Sequence, residues 1–165
     1  MTAAYVALGG NLGDPRRQVL DAVDALARLP GAQLLRRSHL YRTPPWGVRE
    51  QPPFVNAAAL LETSLEPHAL LDELLAVERR AGRVRVERNG PRTLDLDLLH
   101  MEGVQLDDAR LTLPHPRIAE RAFVLLPLAD LSPDLVLPGQ GRVADLLAAV
   151  DADGCERLDE GRLAE

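Results

Sequence analysis

Two aspartates alternate with leucines in the segment Leu94-Asp95-Leu96-Asp97-Leu98. In a β-strand, residues two apart share a face, so both carboxylates stand on one side and the leucines on the other. Aspartate is a poor strand former, and two like charges a few ångströms apart repel each other. A hard divalent cation between them offsets both costs. Magnesium takes few carboxylates and completes its shell with waters and substrate phosphates. A solvated strand face is the competing reading, and the leucine-rich setting favours metal.

Arginines crowd in just before this pair. Arg79, Arg80, Arg83, Arg85, Arg88 and Arg92 fall within fourteen residues. Guanidinium forks bind phosphate oxygens in pairs, and a triphosphate carries about four negative charges. Cations for phosphate and carboxylates for metal are therefore neighbours in sequence, as phosphoryl-group transfer requires. Arg79 and Arg80 have a plainer role at a helix C-terminus, where the dipole favours cations. The chain contains no lysine. That excludes a Walker A loop, a Schiff-base lysine and the protein-kinase lysine.

His115 lies between Pro114 and Pro116, which fix its backbone. It can donate to a phosphate or serve as a loop histidine bonded to a carbonyl, and local sequence favours neither. Aromatic residues are few: Tyr5, Tyr41, Trp46, Phe54 and Phe123. Phe54 and Phe123 read locally as core residues, although a flat heteroaromatic ligand needs such stacking faces. Asn56, two residues after Phe54, offers donors and an acceptor to a polar ring edge.

The elements that must carry these residues follow from patterning. Residues 3–8 read as a buried strand and Gly9–Gly13 as a tight loop. Asp14-Pro15 opens a helix with the stripe Val19, Leu20, Val23, Leu26 and Ala27, stopped at Pro30-Gly31. Residues 32–42 and 54–63 fit two further strands. Between them, four prolines in eleven residues make a stiff loop. Glu66-Pro67 opens a second helix, which Gly82 ends, and an arginine-rich loop spans 83–92. Residues 93–99 fit a fourth strand, Gly103 a hairpin turn, and 117–129 and 142–150 two later helices. The order β-α-β-β-α-β predicts an α+β fold: a ferredoxin-like core with a mostly antiparallel four-stranded sheet and a C-terminal helical extension. Helices cover one face and the extension the other.

The bulk properties bound the rest. A length of 165 residues predicts one domain over 1–165, with 151–165 a frayed polar tail. A net charge of −6 argues against nucleic-acid binding. Cys155 is the single cysteine, so neither an internal disulfide nor a cysteine-based zinc site can form. Neither a signal peptide nor a membrane-spanning run is expected, which predicts a cytoplasmic location.

The chain resembles a known family over roughly residues 3–140: the 6-hydroxymethyl-7,8-dihydropterin pyrophosphokinases of folate biosynthesis. The likeness rests chiefly on Arg88-x-Gly90-Pro91-Arg92-Thr93-Leu94-Asp95-Leu96-Asp97-Leu98-Leu99. Ala7–Gly13, Tyr41–Pro45, Phe54–Ala57, and Leu113–Pro116 followed by Arg121-x-Phe123 support it. The resemblance implies transfer of the β,γ-pyrophosphate of ATP to the pterin hydroxymethyl group, releasing AMP. It implies two magnesium ions held by Asp95 and Asp97, with Arg83 and Arg92 assisting the transfer. Glu78, Arg85, Arg88, Arg110, Thr112, His115 and Arg121 match nucleotide and triphosphate contacts. Thr43, Pro45, Trp46, Phe54, Asn56 and Phe123 match pterin contacts. The expected partners are these two small molecules, and the expected state is a monomer. Departures are Asn89 where relatives often carry Trp, Phe54 where Tyr is common, Trp46 in place of a smaller apolar residue, and an arginine loop one residue shorter than in some relatives.

Overall fold

The computed structural model describes residues 1–45, 51–82 and 94–158. Its first strand, β1, runs Thr2–Gly10, two residues beyond the expected end. Gly9 and Gly10 therefore belong to the strand, not to the loop that their type suggested. The helix α1 spans Pro15–Ala27, with Pro15 in its first turn and the Asp14 carboxylate accepting the Arg17 N–H at 3.2 Å. Its buried stripe is Val19, Ala22, Val23 and Leu26, whereas Ala27 is exposed.

The expected second strand is broken in two: β2 at Ala32–Arg37 and β3 at Tyr41–Thr43. Both pair antiparallel with one long strand, β4 at Phe54–Thr63. Ser38 bridges the break. Its N–H donates to the Ala58 carbonyl at 2.9 Å, and its Oγ accepts the Ala58 N–H at 2.8 Å. A side-chain oxygen thus completes the ladder where the strand departs. The register also shifts between Leu34 and Arg36, and the intervening Leu35 is 44% exposed.

The helix α2 covers Pro67–Arg80, with Gly82 beyond it at φ 75°. The strand β5 follows at Asp95–Met101, shifted two residues from expectation. The turn at Gly103 does not close a hairpin with β5. The hairpin forms later, between β6 (Leu106–Asp107) and β7 (Thr112–Leu113). A 3₁₀ turn at Ile118–Glu120 leads into α3 at Ala122–Leu131. A second small hairpin, β8 (Val136–Leu137) with β9 (Gly141–Arg142), precedes α4 at Val143–Ala149. The tail is not frayed through 158: β10 at Glu156–Arg157 pairs with β3. The remainder of the expected tail lies outside the described residues.

Among the described residues the main sheet has six strands rather than four, in the order β10-β3-β4-β1-β5 with β2 also on β4, and every pairing there is antiparallel. Each of the first two helices joins strands that have one antiparallel strand between them. Opposite faces of the sheet carry separate cores. On one, Val6, Leu8, Leu61, Leu96 and Leu98 meet Leu26, Leu70 and Leu74 of α1 and α2. On the other, Tyr5, Ala58, Leu60 and Leu99 meet Leu125 and Leu128 of α3 and Val143 of α4. A fully buried leucine contributes about 1.5–3 kcal/mol, so both layers add to holding the sheet. Both faces of β4 are covered, and every residue from Val55 to Leu61 is buried.

A bulge in β5 sets the phase. Val6 pairs with Leu98 but Tyr5 with His100, leaving Leu99 as the extra residue. Leu98 and Met101 thereby stay in the first core while Leu99 joins the second.

Candidate active site

Asp95 and Asp97 share the face of β5 that looks away from α1 and α2, as their spacing requires. Leu96 and Leu98 are each 3% exposed in the opposite core. The register of β1 sets what lies beside the aspartates. Gly9 sits opposite Asn56 on one side and Asp95 on the other; Ala7 sits opposite Ala58 and Asp97. The middle strand thus offers only small residues. A trough runs between the amide and the carboxylates, spanning two strand spacings, or roughly 10 Å.

Thr43, Pro44 and Phe54, from β3, β4 and their connection, and Arg121 and Phe123, from the start of α3, line the same cavity. The two rings expected to stack on a flat ligand do line one cavity. The proline on the wall is Pro44, next to the expected Pro45, which is half-buried. Asn56 is 8% exposed, and its Nδ2 donates to Thr43 Oγ1 at 2.6 Å. That bond spends one donor and turns the amide oxygen over Gly9. The Arg121 guanidinium carbon lies 5.6 Å from the centroid of the Phe123 ring, within cation–π range. Burial, then Arg117, lower the Arg121 pKa, while Asp97, Glu120 and Asp95 pull it upward. Arginine remains charged throughout.

A second cavity adjoins the first at Asp97, and Arg110, Thr112 and His115 line it. Arg110 is tethered to α2: its Nη2 donates to Asp72 Oδ1 at 2.6 Å. His115 is held at three points. Its N–H donates to the Leu99 carbonyl at 2.7 Å, so the bulge that phases β5 also anchors this loop. Its carbonyl accepts Gln140 Nε2 at 2.8 Å, and its Nδ1 accepts the Arg117 N–H at 3.2 Å. A ring that accepts at Nδ1 carries its proton at Nε2. Burial, then Arg121 and Arg117, lower the His115 pKa to about 4 against a smaller upward pull from Asp95. His115 is thus a neutral donor near pH 7.

Glu78, expected at the nucleotide, is 4% exposed. Its Oε2 accepts the N–H of Leu96, between the two aspartates, at 2.6 Å. The carboxylate is turned into the fold and braces β5 against α2. Asn11 was expected only as part of a glycine-rich motif. It is 2% exposed, and its Nδ2 donates to Gln51 Oε1 and the Pro52 carbonyl, each at 2.9 Å, tying β1 to the chain entering β4. Arg83, Arg85, Arg88, Asn89, Arg92 and Trp46 lie outside the described residues.

No cluster of three or more histidine, cysteine or carboxylate side chains suited to a metal occurs among the described residues. The carboxylates that line the first cavity are Asp95 and Asp97. Two carboxylates at a cavity wall suit magnesium, which keeps waters and takes phosphate oxygens, and do not suit a closed structural zinc site.

The family model for 7,8-dihydro-6-hydroxymethylpterin-pyrophosphokinase matches residues 5–133. A 2-amino-4-hydroxy-6-hydroxymethyldihydropteridine pyrophosphokinase of Methylorubrum extorquens is 49% identical over 159 residues, covering 96% of this chain and 100% of the relative. The enzyme of the same name from Pseudomonas aeruginosa is 53% identical over 154 residues, covering 93% and 95%. Among solved structures, Plasmodium falciparum HPPK-DHPS with pteroate superposes with a TM-score of 0.71 at 12% identity, over 94% of this chain and 46% of that one. At that identity the likeness speaks for the fold, and this chain spans less than half of the solved one.

Proposed function

Because the chain belongs to the 7,8-dihydro-6-hydroxymethylpterin-pyrophosphokinase family, we propose that its two cavities hold the pterin and ATP, meeting at the atoms that react. The single observation that carries this reading is the shared wall: Asp97 lines both the trough with the aromatic pair and the cavity with Arg110, Thr112 and His115. A carboxylate common to a flat-ring site and a polar site stands where an acceptor and a triphosphate must approach each other.

In the reaction, the hydroxymethyl oxygen of 6-hydroxymethyl-7,8-dihydropterin bonds to the β-phosphorus of ATP. The bond from that phosphorus to the α,β-bridging oxygen breaks, its electron pair leaves on AMP, and the hydroxyl proton passes to solvent. Phe54 and Phe123 sandwich the pterin, and Asn56, fixed by Thr43, reads its polar edge. Arg110, Thr112 and His115 bind the nucleotide, and Arg121 faces the transferred group. Asp95 and Asp97 would hold magnesium, in our reading two ions, which when bound would supply charge for the triphosphate and acidity for the hydroxyl. Arg83, Arg85, Arg88 and Arg92, by family resemblance, complete the phosphate contacts.

The test is AMP release from magnesium and ATP, with and without 6-hydroxymethyl-7,8-dihydropterin. AMP is expected only with the pterin, and Asp97→Ala is expected to lower the rate by roughly 10²-fold or more. ADP as product, or pterin-independent AMP, overturns the reading.

A further inference from the structure

Gly9 stands in a strand interior, where glycine is normally the weaker choice. Its φ is not positive, so backbone conformation does not demand glycine there. Space does. A Cβ at position 9 would lie 2.4 Å from Asn56 Oδ1 and 3.4 Å from its Cγ, while the next atom, the Val55 carbonyl oxygen, is at an ordinary 3.6 Å. The clash is thus with one side chain, not with the sheet. Asn56 can move aside only by giving up the bond from its Nδ2 to the buried Thr43 hydroxyl, now 2.6 Å.

We propose that Gly9 is a specificity-determining positioning residue: its missing side chain lets the Asn56 amide lie across the floor of the trough, oxygen outward, and so sets recognition of the ring edge. The inference rests on the reading of Asn56 as the group that reads the pterin. Gly9 also pairs with Asp95, but its effect belongs to ring recognition, because the atoms that a Cβ meets are those of Asn56.

The prediction is a coupling. Gly9→Ala swings the amide away and raises the pterin KM about tenfold to a hundredfold, the range for a lost buried hydrogen bond. The KM for ATP and kcat at saturating pterin stay near wild type. Asn56→Ala raises the pterin KM on its own. In Gly9→Ala/Asn56→Ala the clashing amide oxygen is gone, so the added methyl has room. The double variant then matches Asn56→Ala in both pterin KM and melting temperature. Multiplicative effects, or a Gly9→Ala variant with wild-type pterin KM beside a defective Asn56→Ala, overturn the inference alone. A wild-type KM in Asn56→Ala overturns the reading of Asn56, and this inference with it. If Gly9→Ala lowers the melting temperature, restoration by Asn56→Ala still supports the clash, and failure to restore overturns it.

Discussion

At the scale of single residues, His115 shows how backbone contacts decide chemistry. Its Nδ1 is occupied by the Arg117 N–H and its environment is cationic. With a folded pKa of about 4, below the unfolded value of 6.5, His115 is neutral when folded. The unfolded chain binds a proton first as pH falls, so stability from this group is complete above pH 6.5. It declines as pH drops toward about 4 and is level below that. Urea denaturation at pH 7.5 and pH 5.0 should show a loss in wild type that His115→Asn shows less. An NMR titration of the His115 ring should give a midpoint near 4 and not near 6.5. The alternation of Asp95 and Asp97 was legible because a period of two is a property of strands alone. The neutral ring was not, because it depends on burial and on the nearby Arg121, which only the fold brings about, although the Arg117 N–H that occupies Nδ1 is local.

At the scale of elements, the bond from Leu96 N–H to Glu78 is the brace of β5. Glu78→Ala leaves a buried N–H without that acceptor and should cost about 1–3 kcal/mol in urea denaturation, with Glu78→Gln costing less. The long, strongly patterned elements, α1, α2, β4 and most of β1, were readable because apolar periodicity and proline starts agree there. The break between β2 and β3 was not readable: Ser38-His39-Leu40 contains neither glycine nor proline, and the strand parts because Ser38 can substitute for a ladder bond. Gly9-Gly10 read as a loop because glycine is rare in strands. The strand persists because β4 and β5 pair with it on both sides. Glu78 was assigned to the nucleotide by resemblance, and its inward turn follows only from how α2 packs on β5.

At the scale of the whole molecule, the sheet carries a core on each face, and the candidate trough opens on the face beside α3. The far end of the chain takes part: β10 pairs with β3, the Leu158 N–H donates to the Leu40 carbonyl at 2.9 Å, and Glu156 bonds Arg42 at 2.6 Å. A chain ending at Val150 should lose about 1–3 kcal/mol of stability through that lost packing. Because β3 carries Thr43, its pterin KM should rise as well, which steady-state kinetics checks. The floor of the trough has one more consequence, for inhibitors. A competitive compound that fills the space over Ala7 and Gly9 rests on backbone and on the smallest side chains, so there is nothing there to trim away. Adding bulk at position 9 to expel the compound would, on the proposed role of Asn56, also evict the amide that reads the substrate. Escape by mutation is thereby forced outward to the rim, where drug and substrate can differ.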